Sequence, residues 1–137
     1  MMMLTGAERK LDLLTKIFQK LCMNSEKGVP IVVEGKKDLA ALRKLGVNGS
    51  VICVKSSGKV LVDLLDNVRS DEVALFVDFD NSGVSLAKDI TQYLEGRGVK
   101  VNSVLWRKAR SLVRRDVCEV EGFPTYLEKL KKRVDHS

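Results

Sequence analysis

Histidine is almost missing: the one copy, His136, stands next to the C-terminal residue. Zinc sites built on imidazole and hydrolases that need a histidine base therefore have no side chain to use. Cysteine is sparse too. Cys22, Cys53 and Cys118 are odd in number, far apart and without a CxxC pair, which excludes a disulfide framework. No secretory signal is read at the start, so a reducing, cytoplasmic setting is expected. Cys53 lies in an apolar run and is expected in the core. Only 2 prolines occur and no stretch is rich in Gly, Ser or Pro, so no interdomain linker, repeat or low-complexity segment is expected. The apolar runs are far too short to span a bilayer, so no membrane partner is expected. Any chemistry falls to carboxylates and a metal.

What is present fits one hydrophobic core. The 137 residues are 45% hydrophobic and 31% charged, ordinary for a single globular domain spanning 1–137. The net charge is +6, unevenly spread: residues 97–137 hold eleven bases against five acids, which alone gives +6. Arg97, Lys100, Arg107, Lys108, Arg110, Arg114 and Arg115 follow one another with no acid between them. Clustered cations of this kind attract phosphates through counterion release, though a merely solvated basic face has the same composition.

Leu4, Ala7, Leu11, Leu14, Phe18 and Leu21 recur at three- and four-residue steps, predicting an amphipathic helix over about 4–23. Thr5 with Glu8 fits a capping box at its start. The stripe lasts under three heptads, so it is expected to pack on the domain rather than form a coiled coil. An alternation follows. Apolar runs at Val29–Val33, Ser50–Val54, Val73–Val77 and Lys100–Leu105 predict strands, and the segments between them carry helical periodicity, the first stopping at Gly46. Strands apolar at nearly every position are buried on both faces, so a doubly wound, mainly parallel four-stranded α/β sheet flanked by helices is expected. Beyond Arg107 the pattern is less regular: a basic extension over about 107–137, with a short helix at Phe123–Leu130 and a frayed tail from Lys131.

Ligands in such folds sit at the carboxyl ends of the strands. Glu34 follows Ile31-Val32-Val33 and precedes Gly35, while Asp78 and Asp80 follow Ala74-Leu75-Phe76-Val77, with Gly83 close behind. Residues two apart on an extended segment point the same way, so Asp78 and Asp80 are expected to converge, and Glu34 joins them if the first and third strands are neighbours. Three such carboxylates repel one another unless a cation is present, and a hard dication such as Mg²⁺ suits them. Each acid alone is also explained as an ordinary helix cap.

The stretch IVVEGKKDLAALRKLGV, followed later by ALFVDFDNSG, resembles the TOPRIM domain of primases, topoisomerases, recombination proteins and small nucleases. The resemblance covers about residues 29–110 and rests on Glu34, Gly35, Asp38, Asp78, Asp80 and Gly83. It implies a Rossmann-like sheet, one or two Mg²⁺ ions (Mn²⁺ able to substitute) on the Asp pair, and Glu34 as general acid/base or further ligand. The Glu-Gly-Lys-Lys-Asp form is most similar to 5S ribosomal RNA maturation endonucleases and to short stand-alone archaeal TOPRIM proteins. An Mg-dependent endonuclease on structured RNA is therefore expected, the alternative being a non-catalytic nucleic-acid or ribonucleoprotein binding module. Tyr93 and Tyr126 read as packing residues rather than nucleophiles.

LFVDFDNSGVSL also resembles the haloacid-dehalogenase phosphatases and the NYN/PIN-like nucleases, but both place this strand near the N-terminus and need further acids on later strands. The later acids Asp89, Glu95, Asp116, Glu119 and Glu121 are not expected to gather at strand ends. Asp38 is expected as a first-turn acid favoured by the helix dipole. Lys36, Lys37 and Lys59, with Arg107, Lys108, Arg110, Arg114 and Arg115, are the candidates for phosphate contact. Ser56-Ser57-Gly58-Lys59 opens a helix but is not a Walker loop.

Overall fold

A computed structural model describes residues 5–55 and 60–136. Leu4, the Ser56–Lys59 stretch and Ser137 lie outside the described residues, so the expectation for Lys59 does too.

The N-terminal stripe becomes α1, Gly6–Glu26, and Thr5 caps it by accepting from the Glu8 amide at 3.1 Å. Leu14, Ile17, Phe18 and Leu21 are buried as α1 packs on two later helices, so the stripe serves the core. The alternation then gives β1 (Ile31–Val33), α2 (Lys36–Lys44), β2 (Val51–Cys53), α3 (Leu61–Asp66), β3 (Glu72–Leu75), α4 (Asn81–Gly96) and β4 (Lys100–Asn102). Gly46 closes α2 at φ +101°, a conformation that L side chains resist. Cys53 is only half-buried, because β2 is an edge strand.

Two expectations at the C-terminal end are corrected. Lys100–Leu105 is not one strand: β4 stops at Asn102, whose Oδ1 accepts from the Val104 amide at 3.1 Å and opens α5, Val104–Val113. The stretch from Lys131 is not a frayed tail either. After a 3₁₀ turn at Val120–Gly122, α6 runs Phe123–Asp135. Its last turn is basic, which the negative end of a helix favours.

All strand pairs are parallel, in the order β2-β1-β3-β4. The chain thus winds outwards one way from β1 and the other way from β3. Right-handed crossovers then send α2 to one face and α3 and α4 to the other. The packing agrees: α3 rests on α4, while α1, α5, α6, α2 and the 3₁₀ turn pack among themselves. Phe18, Phe76, Phe79 and Phe123 meet with ring centroids 5.0–6.2 Å apart, mostly edge to face, tying α1 and α6 to the end of β3. In such sheets the crevice lies where the winding direction changes, here between β1 and β3.

Candidate metal centre

Glu34 is the first residue out of β1, and its backbone still pairs with the sheet: the Lys55 amide donates to its carbonyl at 2.8 Å. Across the switch point the Phe76 amide donates to the Val32 carbonyl at 2.9 Å, one step beyond the end of β3. Continuing that register carries Glu34 alongside Val77 and Asp78. Two distant pieces of sequence therefore deliver acids to neighbouring strand ends.

The segment Val77–Asp80 is no longer strand, and the C-terminal third of the chain holds it in place. Buried Trp106 donates its indole N–H to the Val77 carbonyl at 2.7 Å. The Phe79 amide donates to the Cys118 carbonyl at 2.7 Å, and Arg110 Nε donates to the Phe79 carbonyl at 3.0 Å. The Val120 amide donates to Asp78 Oδ1 at 2.9 Å, and the Gly83 amide to Asp80 Oδ1 at 2.7 Å. Five hydrogen bonds fix four residues. Trp106→Phe keeps the ring but strands the buried Val77 carbonyl, so stability should fall by about 1–3 kcal/mol in urea unfolding. An unchanged midpoint would show that the indole bond does not hold the segment.

The side chains make a negative pocket. Glu34 has 14% of its side chain exposed; Oε2 lies 3.3 Å from the Lys55 ammonium, while Oε1 is buried with no partner among the described residues. Asp38 is buried and accepts from the Gly35 amide through Oδ2 at 3.0 Å. Burial raises its pKa, the Gly35 bond opposes that, and Glu34 and Glu121 add to it. The Asp78 carboxyl is pushed up to about 7, by burial first and then by the charges of Asp38, Glu34 and Glu119, against the lowering effect of the Val120 amide. Glu119 is raised by its hydrogen bond with Glu121, with Asp38 and Asp80 also contributing.

The later acids correct the expectation drawn for them. Glu119 and Glu121 do come to the strand ends, because the 3₁₀ turn between them docks on α2 and on Asp78. Two acids flanking a valine, Glu119-Val120-Glu121, are the one signal for this in the sequence. Lys55, just past the end of β2, and Trp106 also serve the site without a motif that marks them in the sequence. Asp80 caps α4 and is exposed, whereas half-buried Asp78 faces the pocket. The two aspartates thus take different surroundings rather than one shared side. Asp38 is the N3 residue of α2, as a first-turn acid should be, and is also a wall of the pocket. Gly83 is required, since a Cβ there would lie 2.0 Å from the Asp78 carbonyl oxygen. Gly35 is not, since its Cβ would meet nothing within 4 Å. Tyr93 and Tyr126 hydrogen-bond to Asp66 and Asp116, so neither hydroxyl is a free nucleophile.

Among the described residues no three His, Cys, Asp or Glu side chains are gathered tightly enough to form a ready coordination shell. Asp38, Asp78 and Asp80 each accept from a backbone amide, and Glu34 pairs with Lys55. The donor set nonetheless fits a hard dication. It is all oxygen, it lies at one rim, and it includes a buried Glu34 oxygen with nothing to bind.

A Toprim domain model matches residues 28–105, more than half of the chain. The chain belongs to the Toprim domain family. A UPF0292 protein of Methanocaldococcus jannaschii is 34% identical over 117 residues, covering 85% of this chain and 91% of that protein. Another, from Thermoplasma volcanium, is 38% identical over 103 residues, covering 74% and 84%. A solved structure of a protein from Aquifex aeolicus superposes with a TM-score of 0.64 at 26% identity, covering 79% of this chain and 95% of that one. Toprim domains are found in nucleases, primases and topoisomerases and in general bind Mg²⁺. The Toprim assignment therefore gives this chain a metal-dependent, nucleic-acid-related function. Among the described residues no helix is long and apolar enough to cross a membrane.

Proposed function

We propose that the chain is an Mg²⁺-dependent phosphodiesterase, an endonuclease on structured RNA, acting as one domain over residues 1–137. One observation carries the reading. At the switch point Glu34 keeps a buried oxygen without a partner among the described residues, while Asp78 is pushed up to about 7 by burial first and then by Asp38 and Glu34. Carboxylates held under mutual repulsion at a strand-end rim are an anion trap only in the presence of a dication.

In this reading Asp78 and Asp80 hold Mg²⁺, and Glu34 is a further ligand or the general base. Magnesium there supplies charge neutralisation at the scissile phosphate and a water of lowered pKa. As general base Glu34 would accept a proton from such a water; its side chain is largely buried and, among the described residues, Lys55 is its ion-pair partner. Lys36 and Lys37, exposed on the first turn of α2, flank the same rim and would steady the neighbouring phosphate. The substrate is RNA in a cytoplasmic setting. Glu119 and Glu121 add negative potential from the far side and raise the affinity of the rim for cations.

Labelled hairpin RNA incubated with increasing Mg²⁺ or Mn²⁺ tests this. Cleavage should appear with metal, and Glu34→Gln should slow it by roughly 100-fold or more while RNA binding survives. Binding without turnover in either metal would instead make the chain a metal-dependent nucleic-acid binding module.

A further inference from the structure

The basic excess of the last third is not one surface. Arg97 is spent on the carbonyls of Leu65 and Asp66 at the end of α3. Lys108 lines clefts between α5 and α1. Arg107, Arg110 and Arg114 are different. Their spacing of three and four sets them in one row along α5, and with Trp106, Ser111 and Val84 of α4 they line a groove of about 430 Å³. No carboxylate lines this groove, and no ion pair among the described residues engages any of the three arginines.

The groove begins where the acidic rim ends. Arg110 Nε donates to the carbonyl of Phe79, the residue between the two aspartates. Val84 sits one turn into α4, the helix that Asp80 caps. A carboxylate pocket thus adjoins a row of guanidinium groups that lacks counter-charge. Such a pair of surfaces suits a polyanion with one phosphate at the acids and the next ones along the arginines. The length agrees: seven helical residues rise roughly 10 Å, and a strand carrying one charge per ~3.4 Å of axis offers three phosphates over that span.

We propose that the Arg107–Arg110–Arg114 groove seats the phosphodiester backbone of the strand next to the phosphate at the acidic rim. This rests on the phosphodiesterase reading, and it assigns the groove rather than the whole basic segment to the task. Three guanidinium groups in a row match successive phosphates, and contacts of that kind position a strand without reading its sequence.

The test compares two double reversals in the full chain. Arg107→Glu/Arg114→Glu alters the groove but leaves the Arg110–Phe79 bond, and Lys108→Glu/Arg115→Glu makes the same change of charge outside it. Binding is read by anisotropy with a labelled hairpin RNA and with its DNA counterpart, Ca²⁺ replacing Mg²⁺. The groove pair should weaken binding by roughly 30-fold or more and lower the salt slope by about 2, while the other pair changes affinity by less than about 5-fold. Melting temperatures identify misfolding, and if the reversals lower them, Arg107→Gln/Arg114→Gln replaces the groove pair. The RNA and DNA arms tell which backbone is seated, and a selective groove effect in either supports the proposal. Equal weakening by both pairs overturns the groove and leaves the metal-dependent reading standing. A wild-type chain that binds neither strand, yet folds, overturns both.

Discussion

Asp78→Asn should abolish metal-dependent cleavage and yet make the protein more stable in the absence of divalent ions. The asparagine keeps an oxygen for the Val120 amide, so the bond that orients the side chain survives. What disappears is a charge held among Asp38, Glu34 and Glu119. The folded-state pKa of about 7 lies above the ordinary 3.8, so between those values the native state binds more protons than the unfolded chain. Wild-type stability therefore falls as pH rises through that window and levels off above it. Asp38, raised in the same way, adds to the fall. At ~1.4 kcal/mol per pKa unit, the variant should gain on wild type by about 2–4 kcal/mol above neutrality and by nearly nothing at about pH 4. Saturating Mg²⁺ should reverse the order, because it binds the native wild-type protein. Thermal melts at both ends of the range, with and without Mg²⁺, decide the matter. A variant that melts no higher than wild type at about pH 8 in chelator would show that these acids do not strain the fold.

The fold was legible wherever burial was uniform. Ile31-Val32-Val33 and the run into Phe76 are apolar without alternation, and only a strand covered on both faces needs that. The sequence is ambiguous where two periods coincide. Val101, Val104 and Leu105 suit a strand, but Leu105, Trp106, Ala109 and Val113 are also one buried face of a helix. Asn102 decides between them by bonding the Val104 amide, a local choice that composition does not reveal. At the tail, Lys131-Lys132-Arg133 looked like a solvated end. The buried residues Phe123, Leu127 and Leu130 anchor the helix from one side, and its basic turn is compatible with continuing to Asp135.

The site divides along the same line. Glu34 and Asp78 were legible because each directly follows an apolar strand run, and pairing of β1 with β3 puts those strand ends side by side; Asp38 reads from the sequence only as a first-turn acid of α2. The contribution of residues 106–121 was not legible, because it works through backbone groups. Val120 and Cys118 act by an amide and a carbonyl, which any residue possesses. Arg110 illustrates the limit. Its charge suggested a ligand contact, but its Nε is bound to the Phe79 carbonyl, so its first task is to hold the acidic loop.

That loop makes Gly83→Ala the most damaging small change available. A Cβ at 83 would sit 2.0 Å from the Asp78 oxygen and 2.6 Å from its carbonyl carbon. Both are backbone atoms, and the bonds from Trp106 to Val77, from Arg110 to Phe79 and from the Phe79 amide to the Cys118 carbonyl leave the segment no room to slide. Either α4 backs away and the Asp80 cap at Gly83 is lost, or Asp78 moves and gives up Val120. Overpacking against fixed backbone exceeds the usual ~1–3 kcal/mol, so a loss of about 4 kcal/mol and a fall in melting temperature of roughly 10 °C or more are expected. Gly35→Ala is the internal comparison, because it has open space around its Cβ and an extended φ of −148°. It should melt within about 0.5 kcal/mol of wild type. If both variants melt alike, the clamp on the acidic loop is wrong. If only Gly83→Ala falls, the two motif glycines serve different ends, packing at 83 and access to the Glu34 rim at 35. Any loss of cleavage in the stable Gly35→Ala protein would then report a substrate approaching α2 too closely for a methyl group.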